Sequence, residues 1–312
     1  MAERRNELSW SRSRAATFDA CPRRYWFDYY GHWGGWLETA GRTREIYVLK
    51  KLSTRWMWIG SAVHSAIENV LRSLQRGEPQ RAAEVAEATL EGMRKDWRGS
   101  RDGLHRERPG KHVGLFEHEY GIEVPKKLWR EGADHARACI ERFFASPYAE
   151  TFAGLREEEW LPIETLDTFD MEGDRVHVKL DAAFRRPDGR VEIVDWKTGR
   201  RDRGADGGDR FQLACYALYA LEKGWVDRAE EIVTVEYALA SGTPHVREVD
   251  PEAIAGVRQF IRTSIGGMKA RLDDVERNLA SEERFEPTPS GENCRWCNFR
   301  RICPSAAPVR RH

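Results

Sequence analysis

At 312 residues, with 51 basic against 51 acidic side chains and 40% hydrophobic content, the chain is too apolar to be disordered and can bury one large core or two modest ones. A formal net charge of zero excludes any whole-chain attraction to a polyanion, so a nucleic-acid partner would have to be held by a local patch. No window approaches the ~20 apolar residues of a membrane helix and no apolar run follows the charged N-terminus, which points to the cytoplasm, where six cysteines are not naturally three disulfides.

Charge is uneven along the chain. Residues 1–60 hold eleven Arg or Lys against six Asp or Glu, and residues 151–196 hold twelve acidic against six basic. Solvated surface charge accounts for either, but the pair also suits a protein that grips phosphates with one region and concentrates carboxylates in another. After the basic segment, Val63, Ile67, Val70, Leu71 and Leu74 predict a helix from Gly60-Ser61 to about Gly77. Helical patterns follow over 81–97 and 130–147, with a polar loop over 98–114. Strands are expected over 157–169, 175–184 and 190–196, the last two joined antiparallel by the turn signal Pro187-Asp188-Gly189. A flexible Gly204–Asp209 loop, a helix Phe211–Lys223, a strand Glu231–Leu239 and a helix Pro251–Leu279 lead to a Pro/Gly/Cys-rich tail.

On the last strand of that hairpin Val191, Ile193, Asp195 and Lys197 share one face, so a carboxylate and an ammonium continue an apolar row. If the face is buried, the charges need an ion pair or a metal. Asp181, near the end of the neighbouring strand, can add a second carboxylate across the hairpin, and oxygen ligands of this kind suit magnesium or manganese. An Asp-x-Lys pair by itself is common on solvated strands. His64 lies beside the apolar stripe of its helix, as a structural histidine or as part of a metal site. Gln212 and Tyr216 lie at i and i+4 on one helix face, as a flank packed on the sheet would.

The tail reads Cys294-x2-Cys297-x5-Cys303-Pro304, with Cys21 upstream as a fourth thiolate. Zinc and iron-sulfur are both chemically allowed, and spacing alone slightly favours zinc. Cys139 and Cys215, among Ala, Leu and Ile, read as small core residues.

Gly60 to His64, Asp181, Asp195-Trp196-Lys197-Thr198-Gly199 and Gln212 to Tyr216 together resemble the RecB-type branch of the PD-(D/E)XK nuclease superfamily. The resemblance implies an α/β fold: a restriction-endonuclease-like core of mixed sheet flanked by helices, a helical N-terminal region and a C-terminal cysteine-rich staple. It implies that His64, Asp181, Asp195 and the backbone carbonyl of Trp196 bind Mg2+ or Mn2+, that Lys197 positions or activates the attacking water, and that Gln212 and Tyr216 line the DNA path. Lys179 departs from the pattern: many relatives carry glycine two residues before the aspartate, and a lysine could narrow the approach to the metal. One cysteine before the core and C-x2-C-x5-C-P after it resemble the iron-sulfur staple of AddB-type and CRISPR-associated RecB-like exonucleases. That implies a 4Fe-4S cluster on Cys21, Cys294, Cys297 and Cys303, with zinc as the alternative.

Such a cluster would close a loop of nearly the whole chain. It would also gather Arg12, Arg14, Arg23 and Arg24 with Arg295, Arg300 and Arg301 into a patch for backbone phosphates. Trp33, Trp36, Trp56 and Trp58 are at least as readily core as base platforms. The expected organisation is a basic segment (1–60), a helical region contributing His64 (61–150), a nuclease core (151–245) and a C-terminal helix with the cysteine motif (246–312), the last forming one compact unit with the first. The implied activity is metal-dependent DNA exonucleolysis on ends or single strands, in repair, recombination or CRISPR-type processing. The sequence contains no GxxxxGK[ST] P-loop, so unwinding would come from a partner helicase. A non-catalytic DNA-end-binding subunit is the rival, against which the presence of His64, Asp181, Asp195 and Lys197 counts; a zinc-stapled nuclease is the second.

Overall fold

In the computed structural model, which describes residues 5–199 and 210–305, the chain opens with α1 (Arg12–Ala20), α2 (Pro22–Trp26), a π-helical turn at Phe27–Gly31, α3 (Arg42–Lys50) and β1 (Leu52–Ser53). There follow α4 (Arg55–Gln75), α5 (Ala82–Arg101), α6 (Leu104–Glu107), β2 (Gly114–Leu115), α7 (Phe116–Glu119), α8 (Lys126–Phe144) and α9 (Pro147–Gly154). The second half holds β3 (Leu166–Met171), β4 (Asp174–Lys179), β5 (Ala182–Arg185), β6 (Val191–Lys197), α10 (Arg210–Glu222), β7 (Ile232–Ala238), β8 (Thr243–Glu248), α11 (Pro251–Lys269) and the short α12 (Gly291–Arg295). The expected Gly204–Asp209 loop lies outside the described residues.

The main sheet is mixed, in the order β5-β6-β7-β8, with β6 and β7 parallel and the outer pairs antiparallel. Strand β6 alternates between two apolar clusters. Val191 and Ile193 pack with Leu213, Tyr216 and Ala217 of α10 and Val257 and Ile261 of α11. Val194 and Trp196 pack on the opposite face with Val63 and Ile67 of α4 and Cys139, Ile140 and Phe143 of α8. Helices therefore cover both faces, and each buried aliphatic or aromatic side chain contributes about 1.5–3 kcal/mol. Cys139 and Cys215 are buried in these clusters, as expected.

Several boundaries differ from expectation, each for a local reason. The helix expected from Gly60 starts at Arg55, where the Thr54 hydroxyl accepts from the Met57 N–H at 3.4 Å. Gly60 is interior, and a Cβ there would meet Thr198 Oγ1 at 3.1 Å, so its role is close approach to the strand end. The 98–114 loop is partly helical, because α5 runs to Arg101 and α6 follows. Residues 157–159 form a 3-10 turn and β3 begins only at Leu166. The strand expected over 175–184 is two, since the chain changes partner at Leu180-Asp181 from β3 to β6. Helix α11 ends at Lys269, ten residues short of Leu279, after the weak helix formers Gly266 and Gly267; a loop closed by Leu279 N–H to the Asp274 carbonyl follows. Edge strand β8, which carries Pro244, has no counterpart among the expected elements.

The tail packs against the N-terminal helices. Phe299 is buried among Phe27, Ile46, Leu49 and Leu52, with its ring centroid 4.9 Å from that of Phe27.

Candidate active site

At its C-terminal end β6 carries Asp195 and Lys197 on the α10 face, as alternation requires. Lys197 Nζ lies 2.6 Å from Asp195 Oδ2 and donates to Gln212 Oε1 at 3.0 Å. Gln212 Nε2 donates to the Tyr216 hydroxyl at 2.6 Å, and that hydroxyl donates to Asp195 Oδ1 at 3.4 Å. The four side chains close a ring. Gln212 and Tyr216, one turn apart on α10, thus orient the lysine and the aspartate as well as facing the neighbouring cleft.

Asp181 enters where β4 gives way to β5. The β5 ladder stops at the pair Ala182–Val194, so the next N–H on that side of β6, from Trp196, is free of the sheet. Asp181 Oδ2 accepts it at 2.8 Å. In an extended strand the N–H and C=O of one residue point the same way, so the Trp196 carbonyl faces the Asp181 side. Asp181 Oδ1 lies 3.3 Å from His64 Nδ1, which α4 delivers from one turn beyond Gly60.

The sequence reading missed Glu164. Its carboxylate Oε1 is 3.5 Å from His64 Nδ1 and its Oε2 is 2.5 Å from Lys179 Nζ. Its N–H donates to the Asp181 carbonyl at 3.2 Å. The signal lay in the turn Glu172-Gly173, where both residues have positive φ and a two-residue loop joins Met171 to Asp174. That register pairs Leu166 with Lys179, and two residues further on Glu164 stands opposite Asp181. Glu164 itself has φ 48°, a conformation that costs a non-glycine residue about 1–3 kcal/mol and tends to be kept at functional sites.

The electrostatics follow from burial and crowding. Burial, reinforced by the Asp181 charge, raises Asp195 to about 7 against the pull of Lys197 and His64. Burial opposes the charged His64 ring, but the neighbouring Asp181 and Glu164 carboxylates outweigh this and push it up to about 10. Lys197 is likewise opposed by burial, yet Asp195, Glu236 and Asp181 hold it above the usual lysine value. It is therefore an ammonium at neutral pH, a donor and not a base. Burial and the two aspartates keep Tyr216 a phenol.

Residues 9–304 match the family model of the PD-(D/E)XK nuclease superfamily. The chain belongs to the PD-(D/E)XK nuclease superfamily. Its mixed α/β sheet with flanking helices agrees with that membership, and the nucleases of this superfamily use divalent metals. No curated protein sequence matches the chain. Among solved structures, one described as "Crystal structure of SSO0001" is 18% identical, covering 61% of this chain and 92% of its own, at a TM-score of 0.30, a likeness too slight to carry an argument.

The donor set fits the hard divalent cations this superfamily uses. His64, Glu164 and Asp181 each offer one ligand atom, all within 4.8 Å of one another, and Glu164 Oε1 is buried without a hydrogen-bond partner. Carboxylates suit Mg2+ or Mn2+. Lys179 Nζ pairs with the other oxygen of Glu164.

Cys21, Cys294, Cys297 and Cys303 all line one cavity between α2 and the tail, together with Arg23, Arg24 and Arg300. All four are free thiols, and burial pushes Cys297 up to about 11. They are not among the described groups already close enough to hold a metal ion. Of the arginines expected to meet phosphates, Arg23, Arg24, Arg300 and Arg301 have partners within the fold. Arg23 bonds Glu282 at 2.9 Å and the Phe285 carbonyl at 2.8 Å, and Arg24 lies 3.7 Å from Asp28. Arg300 donates to the Arg295 carbonyl and stacks on Tyr120, and Arg301 is shared between Glu45 and Glu119. No helix among the described residues is long and apolar enough to cross a membrane.

Proposed function

We propose that the protein is a RecB-type, divalent-metal-dependent DNA exonuclease, acting on ends or single strands and carrying a 4Fe-4S cluster. The observation that carries the catalytic part is the convergence, at the end of β6, of His64, Glu164, Asp181, Asp195 and Lys197 from four separate stretches of a superfamily nuclease. His64, Glu164, Asp181, Asp195 and the Trp196 carbonyl are the groups that would hold the metal. Bound there, a divalent cation neutralises charge building on the phosphate oxygens and polarises the attacking water.

The chain's own groups have separable tasks. Lys197, kept protonated, donates hydrogen bonds to a phosphate oxygen or to the water, and Gln212 holds its ammonium in line. Tyr216 donates to one oxygen of Asp195 and so fixes the carboxylate's rotation. Asp181 ties the strand end through the Trp196 N–H while turning its other oxygen to His64. His64 must give up a proton to ligate, so metal binding releases protons. Support for the cluster is the single cavity shared by four thiols from opposite ends of the chain. A helicase partner that supplies single strands belongs to the same reading.

The test is purification without oxygen, a visible spectrum with iron analysis, and incubation with end-labelled single- and double-stranded DNA in Mg2+, Mn2+ or chelator. We expect a brown protein that shortens DNA from its ends with metal only, and Asp195→Ala and Lys197→Ala proteins that do not. Activity that survives either substitution sinks the catalytic assignment, and a colourless, zinc-loaded protein sinks the cluster.

A further inference from the structure

On the sheet face opposite α10, the helical spacing of Leu90, Met93 and Trp97 on α5 and of Trp129 and Ala133 on α8 directs these side chains to the apolar cluster that also holds Trp58 of α4. The three indoles meet edge to face, Trp129 with Trp58 at 6.2 Å and with Trp97 at 6.1 Å. Trp58 Nε1 donates to Asp96 at 3.3 Å, whereas Trp97 Nε1 is buried with no hydrogen-bond partner among the described residues.

A cleft of about 570 Å3 lies between α5 and α8, and all three indoles line it. Among the described residues of its walls five are arginines and one, Asp134, is an acid, in a chain whose acidic and basic side chains are equal in number. The arginines differ in how they are held. Arg94 donates to Glu87 at 2.9 Å and to Glu91 at 3.0 Å, and Arg137 donates to the other oxygen of Glu87 at 2.9 Å. Arg101 donates to Asp102 at 2.9 Å and lies 5.3 Å over the Trp97 ring. Arg98 and Arg130, one on each wall, are exposed and make no ion pair with a described residue.

We infer that this cleft is a binding site for a free nucleotide, which sets its base against the half-buried indoles of Trp97 and Trp129 and its phosphate between Arg98 and Arg130. The inference goes beyond the nuclease reading and does not depend on it. A concave, mostly apolar site of this volume suits a small molecule. Indole rings accept the face of any base, and a guanidinium presents paired N–H donors that match a phosphate. The combination of three indoles with two available guanidinium groups therefore selects a ligand that is both aromatic and anionic, and neither half alone uses the whole site.

The test is titration calorimetry in chelator with dAMP as the probe. It compares wild type with Arg98→Gln/Arg130→Gln, Arg98→Lys/Arg130→Lys, Trp97→Leu, Trp97→Phe and Lys197→Ala. Wild type should bind dAMP saturably, and deoxyadenosine or inorganic phosphate at least about 10-fold more weakly, since each makes only half of the contacts. Losing the charge-assisted bonds to phosphate should weaken dAMP by at least about 10-fold in the glutamine pair, and the lysine pair should keep most of the affinity. Trp97→Leu should lose affinity that Trp97→Phe retains. Both arginines are exposed, so melting curves of their variants should coincide with that of wild type. No saturable dAMP binding by wild type overturns the inference, as does unaltered binding in the glutamine pair. An equal loss in Lys197→Ala puts dAMP at the end of β6 and overturns it as well. So does an oligo-dT strand that binds more tightly than dAMP and is weakened alike in the glutamine pair, because the cleft is then a strand site. Cleavage of DNA in Mn2+ is scored separately: an inactive wild type that binds dAMP removes the nuclease reading alone.

Discussion

At the end of β6 the side chains proposed to ligate and catalyse are held by one another, whereas in the cysteine cavity the thiols are held almost entirely by their backbone. Asp195, Lys197, Gln212 and Tyr216 form a closed ring, and Asp181 is tied to the Trp196 N–H. In the cavity, Cys21 Sγ accepts one N–H, from Thr288 at 3.4 Å, and Cys297 is a half-buried thiol pushed up to about 11 by desolvation. Carboxylates and ammonium groups form strong directional bonds and can be organised by folding alone; thiols are weak partners and wait for what they ligate. The first site is therefore preorganised, and at the second the proposed cluster would supply folding energy on binding.

This contrast is sharpest in stability. Cys297→Ser should remove the chromophore and cost about 5 kcal/mol, the chain-entropy value for so long a loop, read by denaturant melts in the absence of oxygen. A serine protein as stable as wild type would show that no ligand bridges residues 21 and 303. The mirror experiment is Lys197→Ala, which should lower kcat roughly 100- to 1,000-fold, as removal of a positioned charge-stabilising donor does, with the melt almost unmoved. If both substitutions damage stability alike, the two sites are not built differently.

Glu164→Gln is the next step down, with about 10-fold weaker Mn2+ binding by titration calorimetry and an unchanged spectrum of the cluster; equal affinity would mean that Glu164 serves only to seat Lys179. The smallest effect is in pH. Asp195, raised from 3.8 to about 7, and His64, raised from 6.5 to about 10, each bind protons more tightly in the folded state. Their contribution to metal-free stability is thus present below 3.8 and 6.5 and is lost as pH rises through about 7 and 10. Metal needs both deprotonated, so the rise in Tm produced by Mn2+ over chelator should grow between about pH 6 and pH 9. A shift independent of pH would take these two groups out of the metal site.

Much of the site is legible in the sequence. Period-two alternation places Asp195 and Lys197 together, and helical spacing places Gln212 with Tyr216. Glu164 was hidden because its role depends on a register set by a turn eight residues away and on a backbone bend that no propensity describes. The helix start at Arg55 was hidden for a similar reason: Gly60 reads locally as a boundary, but its lack of a side chain serves Thr198, far away in sequence.

Local chemistry, which lives in neighbours a few residues apart, determined the interiors of most core strands and helices, the paired charges of β6, the Cys294–Cys303 spacing and the two core cysteines. Only the tertiary structure decided which arginines beside the cysteines are engaged with carboxylates, where β4 hands over to β5, and that Trp10 pairs with the β3–β4 hairpin. Those outcomes depend on contacts between segments far apart in the chain, whose free energies are settled by packing and desolvation after the elements have formed.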